Sequence, residues 1–339
     1  MTATSPLPET PTSVETQGKY LQPGRVTGKY QITSVISTAG FVKEVYRARD
    51  ILLDREGEGT YAVKVFRLPE DISNPRTRAN LESLGGNIES VLQRELRAAK
   101  SLRHANLARL SDYGAIEYTT PSGQTHLYFI VEDYVPGAPL SRTPPFNGQP
   151  AAWASPEYFR DVAYTIGMVA RGLSYLHRRN MAHLDIKPAN IIVENPEHPQ
   201  EGRVVVTDFT HASKIFGPKR HLQGSQLYDA PEECRDSPRH GTKADIWALG
   251  VTFYQALTGR YPFETSQPNW AGLSEPERAA QEEELVKNIL TQQPELPNVH
   301  VSGVPLLLET LCLAMLTKTE SYRPRAAHLA RKLSRFASR

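Results

Sequence analysis

HLDIKPANIIV, residues 183–193, places a carboxylate, an ammonium group and an amide close together in front of an apolar run. A carboxylate such as Asp185 can accept the proton of a hydroxyl nucleophile, and a lysine such as Lys187 can neutralise charge on a moving phosphoryl group. The amide oxygen of Asn190 suits a hard cation such as Mg²⁺. A polar loop between a helix and a strand accounts for the same residues, so the rest of the sequence has to decide between the two interpretations.

The composition indicates a globular chain without a strong electrostatic bias. It has 339 residues, of which 39% are hydrophobic, and a formal net charge of +2. This length suffices for one large domain or two lobes, and the charge is too small to indicate a nucleic-acid partner. Cys234 and Cys312 lie far apart and outside any metal-ligand spacing, as expected in a reducing compartment. We therefore expect a cytoplasmic protein.

Neither end of the sequence predicts a membrane segment. Residues 1–19, MTATSPLPETPTSVETQGK, are rich in Thr, Ser and Pro and lack the apolar core of a signal peptide. We expect residues 1–28 to form a disordered segment. The apolar stretch 304–316, VPLLLETLCLAML, is too short to span a bilayer and contains Glu309. We expect a buried helix there.

The hydrophobic pattern of the first part of the chain is mainly that of strands. Alternating apolar residues predict strands within residues 30–67 and again over 126–135. Between them, residues 88–102 have the spacing of an amphipathic helix. The Pro-rich stretch 136–156 predicts a boundary.

Beyond this boundary the pattern becomes helical. Residues 158–179 repeat apolar side chains at helical spacing, and the apolar segment DIWALGVTFYQALTG ends at Gly259, a favoured helix stop. Strands come first and helices later, which predicts an α+β fold of two lobes. We place the small β-rich lobe at 29–135 and the larger helical lobe at 136–339.

Two charged residues lie on apolar faces and predict a pair. In the strand YAVKVFRL, Lys64 shares a face with Ala62 and Phe66, where an unpaired ammonium group is costly. Glu95 is spaced by seven from Ile88, on the apolar stripe of the following helix, so an ion pair with Lys64 would satisfy both groups. The alternatives are a lysine that extends to water and a glutamate at the edge of the stripe.

A second polar residue follows an apolar strand. Asp208 ends the run VVVTDF, where its carboxylate could point into a cleft and bind Mg²⁺. An Asp that begins a turn is the alternative. Together, Asp208 and Asn190 would make a metal site of hard oxygen ligands, which is a stronger prediction than either residue alone.

Eight motifs in chain order make the sequence resemble a eukaryotic-like, bacterial-type serine/threonine protein kinase over roughly residues 29–336. The matching elements are YAVK with Lys64, QRELRAAKSLRHANL with Glu95, EDYVPG, HLDIKPAN, the pair Asp208 and Phe209, APE at 230–232, ADIWALG with Asp245, and SYRPRAAHL with Arg323. The resemblance implies a bilobal protein-kinase fold, small and β-rich before the hinge and larger and helical after it. It also implies that Asp245 supports the catalytic loop and that Arg323 is the buried partner of Glu232.

The resemblance gives the catalytic residues their roles. Asp185 would orient the acceptor hydroxyl and accept its proton, and Lys187 would steady the γ-phosphate of ATP. Lys64, held by Glu95, would contact the α- and β-phosphates. Pro188 after Lys187 resembles the serine/threonine branch, which implies protein substrates with Ser or Thr acceptors and autophosphorylation.

The resemblance also implies the residues that bind ATP and Mg²⁺. The motif EDYVPG would bind adenine through backbone groups of about residues 133–135, and the metal would be held by Asn190 and Asp208. The implied binding residues are Gly40, Val45, Ala62, Lys64, Asp133, Val135, Asn190 and Asp208.

The nucleotide side of the site departs from the family pattern. Of the three glycines in the family's glycine-rich loop, only Gly40 is present, because Thr38 and Lys43 replace the others. Side chains there put bulk where a glycine lets the backbone approach the phosphates. Glu132 occupies the position beside the adenine pocket that is called the gatekeeper, where a carboxylate is unusual. These changes predict weaker nucleotide binding or an altered lid.

The activation segment departs as well, since the family's D-F-G is D-F-T here and Leu184 replaces the arginine before the catalytic aspartate. Thr210 is β-branched and restricts the backbone, although metal binding needs only the aspartate. The missing arginine normally meets a phosphate on the activation segment, so we expect a non-RD kinase that does not depend on such a phosphate. Lys214, Lys219 and Arg220 offer an alternative phosphate site.

The missing arginine leads to the first testable prediction. Replacing Thr210, Ser213 and Ser225 together by alanine should leave phosphate transfer intact. The reason is that Leu184, unlike the family's arginine, needs no phosphate on the activation segment. The measurement is incorporation of labelled phosphate by the triple variant beside the unchanged chain. Abolished transfer would count against the hypothesis.

Two other classes of function remain open on the sequence. The lost glycines, Thr210 and Leu184 favour a pseudokinase that acts as a nucleotide-binding scaffold or regulator. A small-molecule phosphotransferase of the same broad fold is the third interpretation. The A-P-E segment and the ADIWALG helix argue against it, because they shape a peptide-binding surface. The complete set of charged and amide groups favours an active kinase.

Overall fold

A computed structural model describes residues 18–38, 43–53, 60–72, 88–148, 155–209, 212–214, 226–235, 241–266 and 273–339. The chain divides into two compact units. The first comprises Met1–Ser73 and Asp112–Tyr134, and the second Asn74–Ser111 and Val135–Arg339. The first unit is rich in strands and the second in helices, which confirms the predicted α+β class.

The first unit is built on an antiparallel sheet. In the described residues its strands are β1 (Val26–Thr27), β2 (Tyr30–Ser37), β3 (Lys43–Asp50), β4 (Tyr61–Phe66), β5 (Leu110–Thr120) and β6 (Gly123–Asp133). Their order across the sheet is β1-β2-β3-β4-β6-β5. The register of β4 against β6 pairs Ala62 with Glu132 and Lys64 with Ile130. This register decides which side chains share a face with Lys64.

The other face of this sheet forms the core of the first unit. Val63, Val65 and Val131 are fully buried on it, as alternation along each strand requires. Tyr20 and Leu21 join the same cluster and are 5% and 1% exposed. Residues 18–28, which the sequence placed in the segment 1–28, thus contribute two side chains to this core.

Polar contacts attach the N-terminal segment to the sheet. The Tyr20 hydroxyl donates to Asp71 and accepts a hydrogen bond from the backbone N–H of Leu68 at 3.0 Å. Burial and this carboxylate raise the pKa of Tyr20 well above its ordinary value. Buried Glu44 lies 3.1 Å from Arg67 and accepts a hydrogen bond from the backbone N–H of Lys19 at 3.0 Å. These contacts give the buried polar atoms hydrogen-bond or ion-pair partners, without which their burial would cost free energy.

The second unit is mainly helical. Its described helices are α1 (Ile88–Ala99), α2 (Pro156–His177), α3 (Thr242–Thr258), α4 (Glu275–Thr291), α5 (Pro297–His300), α6 (Leu306–Met315) and α7 (Ala326–Ala337). Its short strands are β7 (Ala138–Pro139), β8 (Met181–Ala182), β9 (Ile191–Val193), β10 (Val204–Val206) and β11 (Ser213–Lys214). Six 3-10 turns in the described residues are Pro69–Asp71, Leu140–Arg142, Pro188–Asn190, Pro199–Glu201, Gln226–Tyr228 and Glu320–Tyr322.

The helix ends follow from local chemistry. The Ser155 hydroxyl caps α2 by accepting a hydrogen bond from Tyr158 N at 3.0 Å. Gly259 ends α3 in the left-handed conformation at φ 72°, as its sequence predicts. Between its ends α3 is buried on nearly every side, which is typical of a central core helix.

The division of the chain differs from the predicted lobes in one respect. The first unit ends at Tyr134, next to the boundary expected at residue 135. Helix α1, which the sequence placed in the first lobe, groups with the second unit instead. The predicted helix within 304–316 is present as α6, with Glu309 buried in its first turn.

A buried ion pair within the second unit holds Glu232, at the end of the activation segment, against Arg323. Arg323 is 1% exposed, and its guanidinium contacts both carboxylate oxygens of Glu232 at 2.6 and 2.7 Å. It also lies 4.9 Å from the Trp247 ring centroid. The bidentate pair confirms the partnership predicted from the sequence.

Burial of Leu21 leads to a stability prediction. Leu21→Ala should lower the free energy of unfolding by about 2–5 kcal/mol, because it removes a core side chain and leaves a cavity. The matched control is Leu52→Ala, since Leu52 is 73% exposed in the same unit, and its change should stay within about 0.5 kcal/mol. Denaturant unfolding measures both variants. Equal stability of the two would mean that the N-terminal segment does not belong to the core.

Candidate functional site

The motif HLDIKPAN lies in a loop between β8 and β9 in the second unit. Its apolar neighbours Ile186 and Ile191 are buried at 1% and 0% exposure. They anchor the loop in the core on both sides of the polar residues. Asp185 and Asn190 are buried as well, at 6% and 7% exposure. The polar groups are therefore held by packing and are not part of a solvated loop.

One buried carboxylate holds the start of this loop. Asp245, in the first turn of α3, accepts backbone hydrogen bonds from His183 N at 2.9 Å and Leu184 N at 2.8 Å. The His177 ring donates to it at 2.8 Å. Burial alone would raise the pKa of Asp245, but the His177 hydrogen bond and the His183 contacts bring it below its ordinary value. The predicted supporting role of Asp245 is confirmed.

Leu184 has the backbone conformation that this anchor requires. Its φ is 63°, in the left-handed region that a side chain disfavours by about 1–2 kcal/mol. The hydrogen bond from its N–H to Asp245 offsets that cost. Position 184 therefore contributes a backbone N–H to the loop, and an arginine side chain is not needed for this contact.

His183 orients the loop from within the core. Its ring is fully buried, with Nε2 donating to Thr207 O at 3.2 Å and Nδ1 accepting from Asp185 N at 3.3 Å. Burial lowers the pKa of His183, so the ring is neutral, as one donating and one accepting nitrogen require. Its centroid lies 5.2 Å from that of buried Phe209. The histidine thus links the loop to the segment around Asp208.

The predicted catalytic groups meet around Asp185. Lys187 Nζ lies 2.9 Å from Asp185 Oδ1, and Asn190 Nδ2 donates to Asp185 Oδ2 at 2.7 Å. The same amide nitrogen also donates to the Asp185 carbonyl at 2.8 Å. The carboxylate is therefore fixed in direction, with a positive charge beside it. This arrangement suits a group that accepts a proton at a defined position.

Asn190 and Asp208 are brought together by the hairpin of β9 and β10. The ladder pairs Ile191 with Val206 and continues to Thr207, whose N–H donates to Asn190 O at 2.9 Å. Asp208 follows directly, at a left-handed φ of 67° that turns the chain out of the strand. Sequence spacing alone could not show this juxtaposition, although the two apolar strands suggested it.

The donor chemistry of this pair fits Mg²⁺. The amide bonds to Asp185 use Asn190 Nδ2, so its oxygen is not engaged by that residue. Magnesium is typically bound by one or two carboxylates with water and substrate phosphates. Among the described residues no group of three or more His, Cys, Asp or Glu side chains could hold a metal ion. The candidate donors are the carboxylate of Asp208 and the amide oxygen of Asn190, and water and bound phosphate oxygens would complete such a site.

Lys64 has a partner in the described residues that the sequence did not predict. Its Nζ lies 2.7 Å from Glu132 Oε2, and both residues are buried in the first unit. The Glu95 side chain lies outside the described residues, so the Lys64–Glu95 pair stays a prediction beside this contact. The ammonium is at ion-pair distance, but its angles do not meet those of a hydrogen bond. Sequence reasoning noticed Glu132 as an unusual residue and did not predict its contact with Lys64.

The other predicted binding residues lie on or beside the sheet. Val45 pairs with Lys64, and Ala62 pairs with both Arg47 and Glu132. Asp133 ends β6 opposite Tyr61. Gly40 lies outside the described residues.

The hinge motif continues into the second unit through Val135, which is partly buried. Gly137 follows at φ 108°, and a Cβ there would lie 2.1 Å from Val193 O. Only glycine fits this approach. The glycine of EDYVPG thus has a structural reason, independent of any ligand.

Comparison with known proteins agrees with this geometry. The protein kinase domain family matches residues 40–333. Serine/threonine-protein kinase PrkC of Bacillus subtilis is 30% identical over 244 residues, which are 71% of this chain and 32% of PrkC. PknF of Mycobacterium tuberculosis is 32% identical over 235 residues, 68% of this chain and 43% of PknF. ULK3 of Rattus norvegicus is 30% identical over 220 residues, 63% of this chain and 42% of ULK3.

The fold and the catalytic loop define a phosphotransferase class. The chain belongs to the protein kinase family, as a eukaryotic-like serine/threonine protein kinase. It spans 32–43% of the length of the relatives named above. Within its described residues, no helix combines the length and the apolar character that crossing a membrane requires.

The contacts of Asp245 lead to a prediction about stability and pH. Asp245→Asn should destabilise the protein by about 2 kcal/mol or more, because an amide cannot accept all three hydrogen bonds and leaves a buried donor unsatisfied. Because the native pKa is lowered, the carboxylate's contribution is present above the unfolded pKa of about 4 and is lost as the pH falls below it.

Unfolding by denaturant at pH 7 and at pH 3 to 4 measures both effects. Glu283→Gln, an exposed change in α4, is the control and should match the unchanged chain at pH 7. The difference in the free energy of unfolding between the unchanged chain and Asp245→Asn should be smaller at pH 3 to 4 than at pH 7. An equal difference in the free energy of unfolding at both pH values would show that the charge of Asp245 does not anchor the loop.

Proposed function

We propose that this chain is an active kinase that transfers the γ-phosphate of ATP to Ser or Thr hydroxyls of protein substrates, itself included. The observation that carries the proposal is the fixed carboxylate of Asp185, held by Asn190 and paired with Lys187 at 2.9 Å. A general base needs a defined direction and a nearby positive charge for the phosphate it serves, and both are present.

In the proposed reaction, Asp185 accepts a hydrogen bond from the acceptor hydroxyl and takes its proton as the oxygen attacks the γ-phosphorus. The new P–O bond forms as the bond to the β-phosphate oxygen breaks, and ADP leaves with that electron pair. Lys187 neutralises charge on the γ-phosphoryl group from beside Asp185. Lys64 would contact the α- and β-phosphates.

Asn190 and Asp208 would hold Mg²⁺, which supplies charge neutralisation on the phosphates when it is bound. Their oxygen donors and their adjacency on the hairpin support this assignment. We place the protein in the cytoplasm. Its proposed partners are protein substrates, and the proposal includes neither nucleic-acid binding nor membrane insertion.

A second candidate is a pseudokinase that binds nucleotide and acts as a scaffold or regulator. One observation favours it. Lys43, which stands in place of a glycine, is buried and lies 4.8 Å from the Phe66 ring centroid. A side chain packed at that point in the strand differs from the open backbone that the family uses to cover phosphates.

The two candidates predict different outcomes in one experiment. The chain is incubated with labelled ATP, Mg²⁺ and a generic basic protein, beside Asp185→Asn. Loss of the general base should lower incorporation by about 10²–10⁴-fold, and removal of Mg²⁺ by a chelator should abolish it. Glu201→Gln, an exposed change in the same unit, should retain full incorporation.

Thermal unfolding with and without Mg²⁺–ATP completes the test. Stabilisation by the nucleotide with no incorporation in the unchanged chain would support the pseudokinase. Equal incorporation in the unchanged chain and Asp185→Asn would show that the transfer comes from a contaminating enzyme and would overturn the proposal.

A further inference from the structure

Lys64 and Glu132 form a pair that is unusual in its burial. The lysine is 7% exposed and the glutamate 3% exposed, with Nζ and Oε2 2.7 Å apart. Solvent screens a pair this deep far less than a surface pair. Removal of either charge would leave the other buried without compensation. The two residues therefore depend on each other.

The backbone register makes this pairing a property of the sheet itself. Strand β4 pairs with β6 so that Glu132 lies opposite Ala62, and Ile130 lies opposite Lys64. Residues two apart along a strand share a face, so Glu132 is the diagonal neighbour of Lys64 on the same face. Long side chains reach each other across such a diagonal. The contact needs no residue from outside this sheet.

A second lysine points to the same face. Lys43 pairs with Phe66 across β3 and β4, and Val45 pairs with Lys64. Lys43 is therefore the diagonal neighbour of Lys64 on its other side, and its Nζ lies over the Phe66 ring. This face therefore carries two buried lysines, and Glu132 lies on the side of Lys64 away from Lys43.

We infer that Glu132 is a positioning residue for Lys64, a task that the family resemblance assigns to Glu95. The inference rests on the proposed function, because Lys64 matters only if the chain binds a nucleotide triphosphate. Glu132 acts through Lys64 and touches no reacting atom. The sheet thus holds the lysine in place whether or not the helix that carries Glu95 contributes a partner.

The test compares four variants in the full chain. Glu132→Gln keeps the shape and removes the charge, and Glu132→Asp keeps the charge on a shorter side chain. Glu95→Gln removes the charge that the family pattern would use. Glu117→Gln is the matched control, because Glu117 is exposed on β5 of the same sheet. The measurements are kcat and the KM for ATP with a generic basic protein as acceptor.

Glu132→Gln should lower kcat by about tenfold or more while the KM for ATP changes by less than about threefold, since misplacement of Lys64 is felt most in the transition state. Glu132→Asp should recover part of that loss. The loss in Glu132→Gln should appear whatever the loss in Glu95→Gln, and Glu117→Gln should match the unchanged chain. A loss in kcat without a matching change in the KM for ATP, and the partial recovery in Glu132→Asp, would not follow from a general loss of structure.

Two results would overturn the inference. One is full kcat in Glu132→Gln, and the other is a loss in Glu132→Gln that the control Glu117→Gln shows equally. If Glu132→Gln does not fold, a crystal structure of the unchanged chain with a magnesium–ATP analogue decides. A Glu132 carboxylate within 4 Å of Lys64 Nζ supports the inference, and a lysine paired with Glu95 instead refutes it.

Failure of the proposed function gives a different result. In that case the unchanged chain shows no phosphate transfer that depends on Asp185, whatever the residue at position 132. Transfer that depends on Asp185 but not on Glu132 leaves the proposed function standing and removes only the inference.

Discussion

The catalytic loop of this protein depends on one buried carboxylate. Asp245 reaches two backbone N–H groups at the start of the loop and stabilises Leu184 in a left-handed conformation that a side chain disfavours. The N-terminal turn of α3 favours the negative charge. The direction of Asp185, one residue further on, follows from this contact. Lys187 and Asn190 then converge on a carboxylate whose position is already decided.

Helix α3 can provide this anchor because it cannot move easily itself. Its residues from Ala244 to Thr258 are buried, and Gly250 lets α6 approach so closely that a Cβ would lie 2.9 Å from that of Met315. Trp247 stacks on Phe263 with centroids 5.6 Å apart. The same tryptophan contacts Arg323, the partner of Glu232. The catalytic loop and the end of the activation segment therefore share one rigid support.

Local spacing predicted the site where its residues are close in sequence or belong to a strong motif. Asp185, Lys187 and Asn190 lie on one short loop, so their spacing alone brings them together. The contact of Lys64 with Glu132 could not be predicted in this way, because periodicity gives the face of a strand and not its register against a distant strand. The pairing of Ala62 with Glu132 places Glu132 on the face of Lys64, and only the structure shows that register.

The burial of Tyr20 and Leu21 escaped prediction for a related reason. They stand in a Pro- and Thr-rich context without periodicity, and their burial comes from tertiary packing on a sheet formed later in the chain. Propensity and composition describe a segment by itself. A short segment that completes a core formed elsewhere leaves little signal in either.

Stability alone does not explain a buried pair such as Lys64 and Glu132. Taking two charges out of water costs about as much as their attraction returns, and well-packed apolar residues often stabilise a fold as well or better. Val63 and Val131 fill the opposite face of the same strands without any charge. The pair is therefore better understood by what it does to the lysine, whose ammonium group is held at one place in the sheet. A fixed positive charge that costs the fold little is what a triphosphate site requires.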